Sequence, residues 1–168
     1  MLMDNWIDGK QPKTDKEYRE QAKNKVYKNE EGFLAIPTRA IKSAMVLASS
    51  EIGKKMDAKK NRQTIKSAVF FDKEFLSMGK KEYDDIVRHI VRRGQGTKTT
   101  AVPTYRPIVK EWKVSGKIIT IVDNEQFLKE VLELAGLRYG LLAYRPEFGR
   151  FIITKWEVNG NEQQRALH

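Results

Sequence analysis

The chain contains no cysteine. That excludes disulfides, thiolate zinc sites and a cysteine nucleophile, and it fits a reducing cytosol. Histidine is nearly as scarce, with His89 the sole internal one and His168 closing the chain. No apolar stretch approaches the ~20 residues that cross a bilayer, and MLMDNWIDGK lacks the basic start and apolar run of a signal peptide. The expectation is a cytoplasmic protein with no membrane partner. No P-loop, dinucleotide fingerprint or nucleophile elbow occurs, so no cofactor is implied. Asp84-Asp85 looks like half a metal site, but adjacent residues on a helix point about 100° apart, and solvated acids at a helix start are the simpler reading. No metal is expected.

What remains is a chain of one-domain length, 168 residues, 40% hydrophobic and 32% charged, which is enough apolar content for a packed core. Its net charge is +10, and the excess is uneven. Residues 1–32 balance, whereas residues 53–66 hold six basic side chains against Asp57 alone. Residues 88–117 hold eight against Glu111 alone, seven of the ten excess charges. A solubilising surface mixes signs, so this polarity suggests an electrostatic footprint.

The stretch RHIVRRGQGTKTTAVPTYRPIVKEWKVSGK contains Arg88, Arg92, Arg93, Lys98 and Arg106 with Tyr105 and Trp112 among them. Gly94, Gly96 and two prolines suggest a loop in its first half. Phosphate oxygens need cationic donors and unstacked bases need aromatic or guanidinium planes, so a basic loop with interleaved aromatics points to nucleic acid. The bland alternative is a solvated surface loop. Lys59, Lys60 and Arg62 lie in the second basic stretch, also expected to be a loop.

Residues 1–30 read as a charged N-terminal arm with one helix over 14–24 and few anchors beyond Trp6, Ile7, Tyr18, Val26 and Tyr27. A domain over 31–168 follows. GFLAIP suits a buried strand, after which Thr38 can cap a helix through TRAIKSAMVLASSEIG with Ile41, Ala44, Met45, Ala48 and Ile52 at helical spacing. TIKSAVFFDKEFLSM reads as one or two strand pieces. Tyr83, Ile86, Val87, Ile90 and Val91 share a face of a helix over 80–92, although VRHIV also alternates. IVKEWKV and KIITIVD read as strands joined near Ser115-Gly116. Asn124 caps a helix ended by Gly136, and GRFIITKWEV is the last strand. The order gives an α+β class, close to a ferredoxin-like βαββαβ antiparallel sheet with helices on one face and long basic insertions.

Two motifs carry a resemblance. Ile36-Pro37-Thr38-Arg39-Ala40-Ile41-Lys42-Ser43-Ala44 resembles the strand-to-helix signature of the RAMP superfamily, the ferredoxin-like RNA-binding proteins of CRISPR systems. Gly140-Leu141-Leu142-Ala143-Tyr144-Arg145-Pro146-Glu147-Phe148-Gly149-Arg150-Phe151 is similar to the glycine-rich loop with which those proteins contact the RNA backbone. The usual glycines are replaced by Arg39 and Ser43 in the first motif and by Leu142 and Ala143 in the second. The chain also resembles small standalone bacteriophage proteins. The resemblance implies RNA binding through Arg39, Lys42, Tyr144, Arg145 and Arg150.

On their own chemistry, Arg145 and Arg150 can fork onto phosphates or stack on bases, or Arg145 can pair with Glu147. Arg39 and Lys42 place cations in the first turns of a helix, where an anion is favoured instead. The expected function is binding of RNA or single-stranded DNA without catalysis, alone, as a homo-oligomer or within a larger ribonucleoprotein complex. Two rivals stand beside it. One is a metal-independent endoribonuclease using His89 as base, and the other is a protein-binding module or inhibitor that mimics an RNA-binding subunit.

Overall fold

A computed structural model describes residues 1–5, 12–95 and 98–158. Trp6, Ile7 and Gly96 lie outside that range, as do the side chains of Arg93 and Lys98. Helix α1 (Asp15–Lys23) starts where the sequence places it. Thr14 Oγ1 accepts from Glu17 N at 3.3 Å and the Glu17 carboxylate accepts from Lys13 N at 2.8 Å, acid at the positive helix end. Strand β1 (Ala35–Pro37) is buried throughout and leads straight into α2 (Thr38–Ser49), whose Ile41, Ala44, Met45 and Ala48 are buried as the spacing predicts. Thr38 is the first helical residue rather than the cap. Its N–H and its hydroxyl both donate to Glu74 O, at 2.8 and 3.0 Å, which ties the start of α2 to the chain just before Phe75.

The basic stretch 54–66 is helical, not a loop. A 3₁₀ turn (Lys55–Asp57) runs into α3 (Ala58–Ala68). Its Ala, Lys, Arg and Gln residues are strong helix formers, and its few apolar anchors, Ile65 and Ala68, reach the core. Strands β2 (Val69–Phe71) and β3 (Phe75–Ser77) are the two pieces expected from TIKSAVFFDKEFLSM.

The largest correction concerns residues 80–108. Neither the helix over 80–92 nor the loop after it forms. Instead β4 (Asp85–Gln95) and β5 (Lys98–Ile108) make one antiparallel hairpin, in register from Asp85↔Ile108 to Gln95↔Lys98. Alternation wins over helical spacing. Val87, His89 and Val91 are half-buried while Arg88, Ile90 and Arg92 are exposed, and the β-branched residues favour the strand. The prolines do not break it. Pro107 O accepts from Met3 N at 2.9 Å, so the backbone polar groups at that position face away from β4 and the missing N–H is not needed in the ladder.

Beyond Ile108 the segment IVKEWKV carries no further strand, and of KIITIVD only β6 (Ile118–Thr120) forms. Helix α4 (Glu125–Leu134) is capped by Asn124 Oδ1, which accepts from Phe127 N at 2.9 Å. Gly136 does not end it, because the helix widens into a π turn (Ala135–Tyr139). Gly136 is a contact residue. A Cβ there would lie 2.2 Å from Phe151 O. The expected last strand is absent over the described residues 149–158, which run beside the π turn with Phe151 N donating to Gly136 O at 3.3 Å.

The chain is thus α+β, and its described strands pair two by two. The antiparallel ladders are β1–β3, β2–β6 and β4–β5, with no hydrogen bonding that joins them into one sheet. Helix α2 is central and packs on α3, α4 and the π turn. The core joins Leu34, Ile36, Met45, Ile65, Val69 and Val131. The first residues of the charged arm also enter this core, since Leu2 and Met3 are fully buried and Leu2 bridges both Ile108 and Ala143. Among the described residues no helix is long and apolar enough to cross a membrane.

Candidate nucleic-acid interface

The hairpin is held at its base on both faces. On one, Tyr105 is 3% exposed and its hydroxyl donates to Asp15 of α1, with Arg88 3.8 Å from the same carboxylate. That bond holds the Tyr105 phenol above its ordinary range and, with burial, removes Tyr105 as a stacking platform. The other face, which carries His89, Thr104 and Arg106 on the register of the ladder, meets the loop after the π turn. Tyr144 stacks on His89 with ring centroids 4.3 Å apart, Phe148 meets His89 edge-on at 5.8 Å, and the Arg106 guanidinium lies 4.7 Å from the Tyr144 ring centre. Tyr144 is therefore engaged, and so is Trp112, half-buried against Phe151 at 6.3 Å.

Leu142 and Tyr144 both adopt left-handed backbone, with φ of 63° and 53°. For non-glycine residues this costs about 1–3 kcal/mol each and persists only where neighbours over-determine the chain, as at many functional sites. Here Ala143 N donates to Leu2 O at 3.2 Å, Leu141 N to Gly149 O at 2.9 Å and Phe148 N to Tyr144 O at 3.0 Å. The loop is thereby pinned at both ends and presents Arg145 outward, exposed.

Opposite Arg145 stands the start of α2. A cleft of about 400 Å³ is lined by Arg39, Ala40 and Ser43 from α2 and by Leu142, Ala143 and Arg145 from the loop, with Asp4 and Tyr27 completing it. No side chain caps α2 and its first turn holds no acid, so the positive helix end faces this space together with two guanidinium groups. Neither Arg39 nor Arg145 has an acidic partner among the described residues. Asp4 is already committed, accepting from Arg106 Nη2 at 2.7 Å and lying 3.6 Å from Lys25 Nζ. Behind it His89 Nδ1, Thr104 Oγ1, Arg106 Nε and Nη1 and the Tyr144 hydroxyl are buried with no hydrogen-bond partner.

The other candidate residues are spread more widely. Lys42 sits over the Phe70 ring at 4.9 Å. Lys59, Lys60 and Arg62 are exposed on α3, Arg62 donating to Ser50 Oγ at 3.1 Å. Arg92 is exposed on the outer half of the hairpin, and Arg150 Nε donates back to Pro146 O at 2.9 Å. Arg106 is a half-buried structural cation rather than a free contact, its side chain 13% exposed. Asp84 and Asp85 are strand-edge acids that accept from Lys110 N and Ile86 N, at 2.9 and 2.7 Å. Asp4, Thr104 and Phe70 were not singled out by sequence. Nothing local marks Asp4 or Thr104, and the continuous apolar run Ala68–Phe71 reads as buried, whereas Phe70 is 51% exposed because its strand turns Val69 to the core.

His89 is half-buried beneath Tyr144. Burial first, then the Arg106 guanidinium, holds its pKa below the ordinary imidazole value, with Glu147 pulling the other way. A ring stacked on Tyr144 and met edge-on by Phe148 is a poor position for a general base. The pH dependence follows from the sign of the shift. Unfolded chains take up a proton near pH 6.5 and the folded imidazole resists it, so folding stability should fall as pH drops through that region and be independent of this group above it. Melting curves from pH 7.5 to 5.5 should show the decline, and His89→Phe, which keeps a ring under Tyr144, should flatten it. Parallel curves for the two proteins would mean that His89 is not the group responsible. No family model matches this chain, and no curated protein or solved structure matches it either.

Proposed function

We propose that this protein binds the backbone of a single-stranded nucleic acid, RNA foremost, without cutting it. The observation that carries the reading is the cleft in which Arg39 and Arg145, from the two sequence motifs, line the same space at a helix start without a side-chain cap. Two planar guanidiniums and a positive helix end suit a phosphodiester, which needs several donors at once. Exposed Arg92 on the hairpin and Lys59 and Lys60 on α3 add to the charge available to a longer strand. We further propose the ferredoxin-like, RAMP-type arrangement as the origin of this site. Antiparallel β1–β3 beside α2 is consistent with the centre of that plan, while β2 pairing with β6 departs from it.

The test is salt dependence. With about four phosphates neutralised, log affinity for a labelled mixed-sequence RNA should fall against log salt with slope roughly −3, at ~0.7 per contact. Arg39→Ala and Arg145→Ala should each reduce that slope by about 0.7. Arg145→Lys should restore the slope but not the affinity, since lysine lacks the planar fork. A flat salt response in the unaltered protein would defeat the reading.

A further inference from the structure

A backbone grip leaves open what holds the bases, and the stacking residues expected from sequence are engaged elsewhere. Tyr105 is buried against α1, Trp112 leans on Phe151 and Tyr144 lies on His89. Among the described aromatic side chains Phe70 is the exposed one, at 51%. It stands on the outer face of the β2–β6 ribbon directly opposite Ile119, itself 50% exposed, with Ile121, 72% exposed, next on the same side. A soluble surface gains nothing by displaying three large apolar side chains together, so such a patch marks a contact.

The surroundings indicate which contact. Lys42 Nζ lies 4.9 Å from the Phe70 ring centre, and Lys73 and Lys117 are exposed where the two strands open beside Asp72. An apolar and aromatic surface with the Lys42 ammonium against its ring complements a base with its flanking phosphate, because every base offers a π face and every linkage a negative charge. Lys42 belongs to the first turns of α2, the same helix whose Arg39 lines the cleft. A strand held by Arg39 and Arg145 therefore has its next cation at Lys42, immediately above the ring.

We propose that Phe70, flanked by Ile119, is the platform on which an unpaired base of the bound strand stacks, on the ring face that Lys42 does not cover. This rests on the backbone-binding reading given above, and its test separates the two. Phe70→Ala should weaken binding of a labelled 12-nucleotide mixed-sequence RNA by about tenfold, within the range that stacking on one aromatic supplies. The salt slope should stay unchanged, since no phosphate contact is lost, and Phe70→Trp should bind at least as tightly as the parent. An RNA with 2-aminopurine at successive positions should show fluorescence quenched at one position by the parent and released in Phe70→Ala. If Phe70→Ala binds like the parent while Arg39→Ala and Arg145→Ala do not, the platform is wrong and the cleft stands. If Phe70→Ala instead changes the sedimentation of the protein alone and leaves RNA binding intact, the patch joins copies of the chain and the platform is again overturned. If the unaltered protein binds no oligonucleotide at low salt, both proposals fail together.

Discussion

Gly149→Ala is expected to destabilise the fold by about 3 kcal/mol or more, a large effect for the addition of a single methyl group. Two costs coincide there. Gly149 has φ of +79°, which a side chain tolerates only with about 1–2 kcal/mol of strain. An added Cβ would also lie 2.1 Å from Leu141 O and 2.8 Å from Leu141 N. Both are backbone atoms, and Leu141 N is the donor that closes the loop onto Gly149 O at 2.9 Å, so no rotamer change relieves the overlap. Gly79 gives the control. Its φ is +70° with nothing within 4 Å of an added Cβ, so Gly79→Ala should cost the strain alone, about 1 kcal/mol. Urea unfolding of the two variants measures the difference. Equal midpoints would mean that the loop yields freely, and the pinned presentation of Arg145 would lose its basis. With the loop intact as described, Gly149→Ala should also lower RNA affinity under conditions where the variant remains folded, because Arg145 would leave the cleft.

The sequence was most legible where one face of an element is buried and its end is marked by local chemistry. Helix α2 shows this in the spacing of Ile41, Ala44, Met45 and Ala48, helix α4 in the cap at Asn124, and β1 in its apolar run closed by proline. It misled where the burial is slight. Helix α3 buries only Ile65 and Ala68, so its pattern is submerged in lysines and reads as a loop. In β4 the residues Ile86, Val87, Ile90 and Val91 satisfy a helical template as well as an alternating one, and the choice is made by β5, a partner whose glycines and prolines sit around it like loop signals. The two motifs with Arg39 and Arg145 were visible as motifs, and their meeting at one cleft is consistent with that reading. Asp4 was not visible. Its role depends on a carboxylate near the start of the chain reaching an arginine in β5, a contact no local pattern encodes.

Asp4 also permits the second large prediction, in which stability and affinity should move in opposite directions. Among the described residues its carboxylate is the one acid held by Arg106, whose Nε and Nη1 are already buried without partners. Removing one member of a buried pair costs about 3–5 kcal/mol because the other charge is stranded. The Asp4 side chain is 35% exposed, so solvent screening trims the expectation for Asp4→Ala to about 2 kcal/mol. Replacing both partners, as Asp4→Ala with Arg106→Met, should recover most of that loss, since an apolar side chain of similar length fills the site without a charge to satisfy. Asp4 also lines the cleft beside Arg39 and Arg145, where its negative charge opposes a phosphate. Asp4→Ala should therefore bind labelled RNA several-fold more tightly at low salt, about 1 kcal/mol of removed repulsion, and lose that advantage as salt rises. A variant with lower stability and weaker binding would show that Asp4 acts on the cleft only through the fold. A variant as stable as the parent would show that Arg106 does not depend on it, and the account of how the hairpin face is joined to the loop would need another anchor.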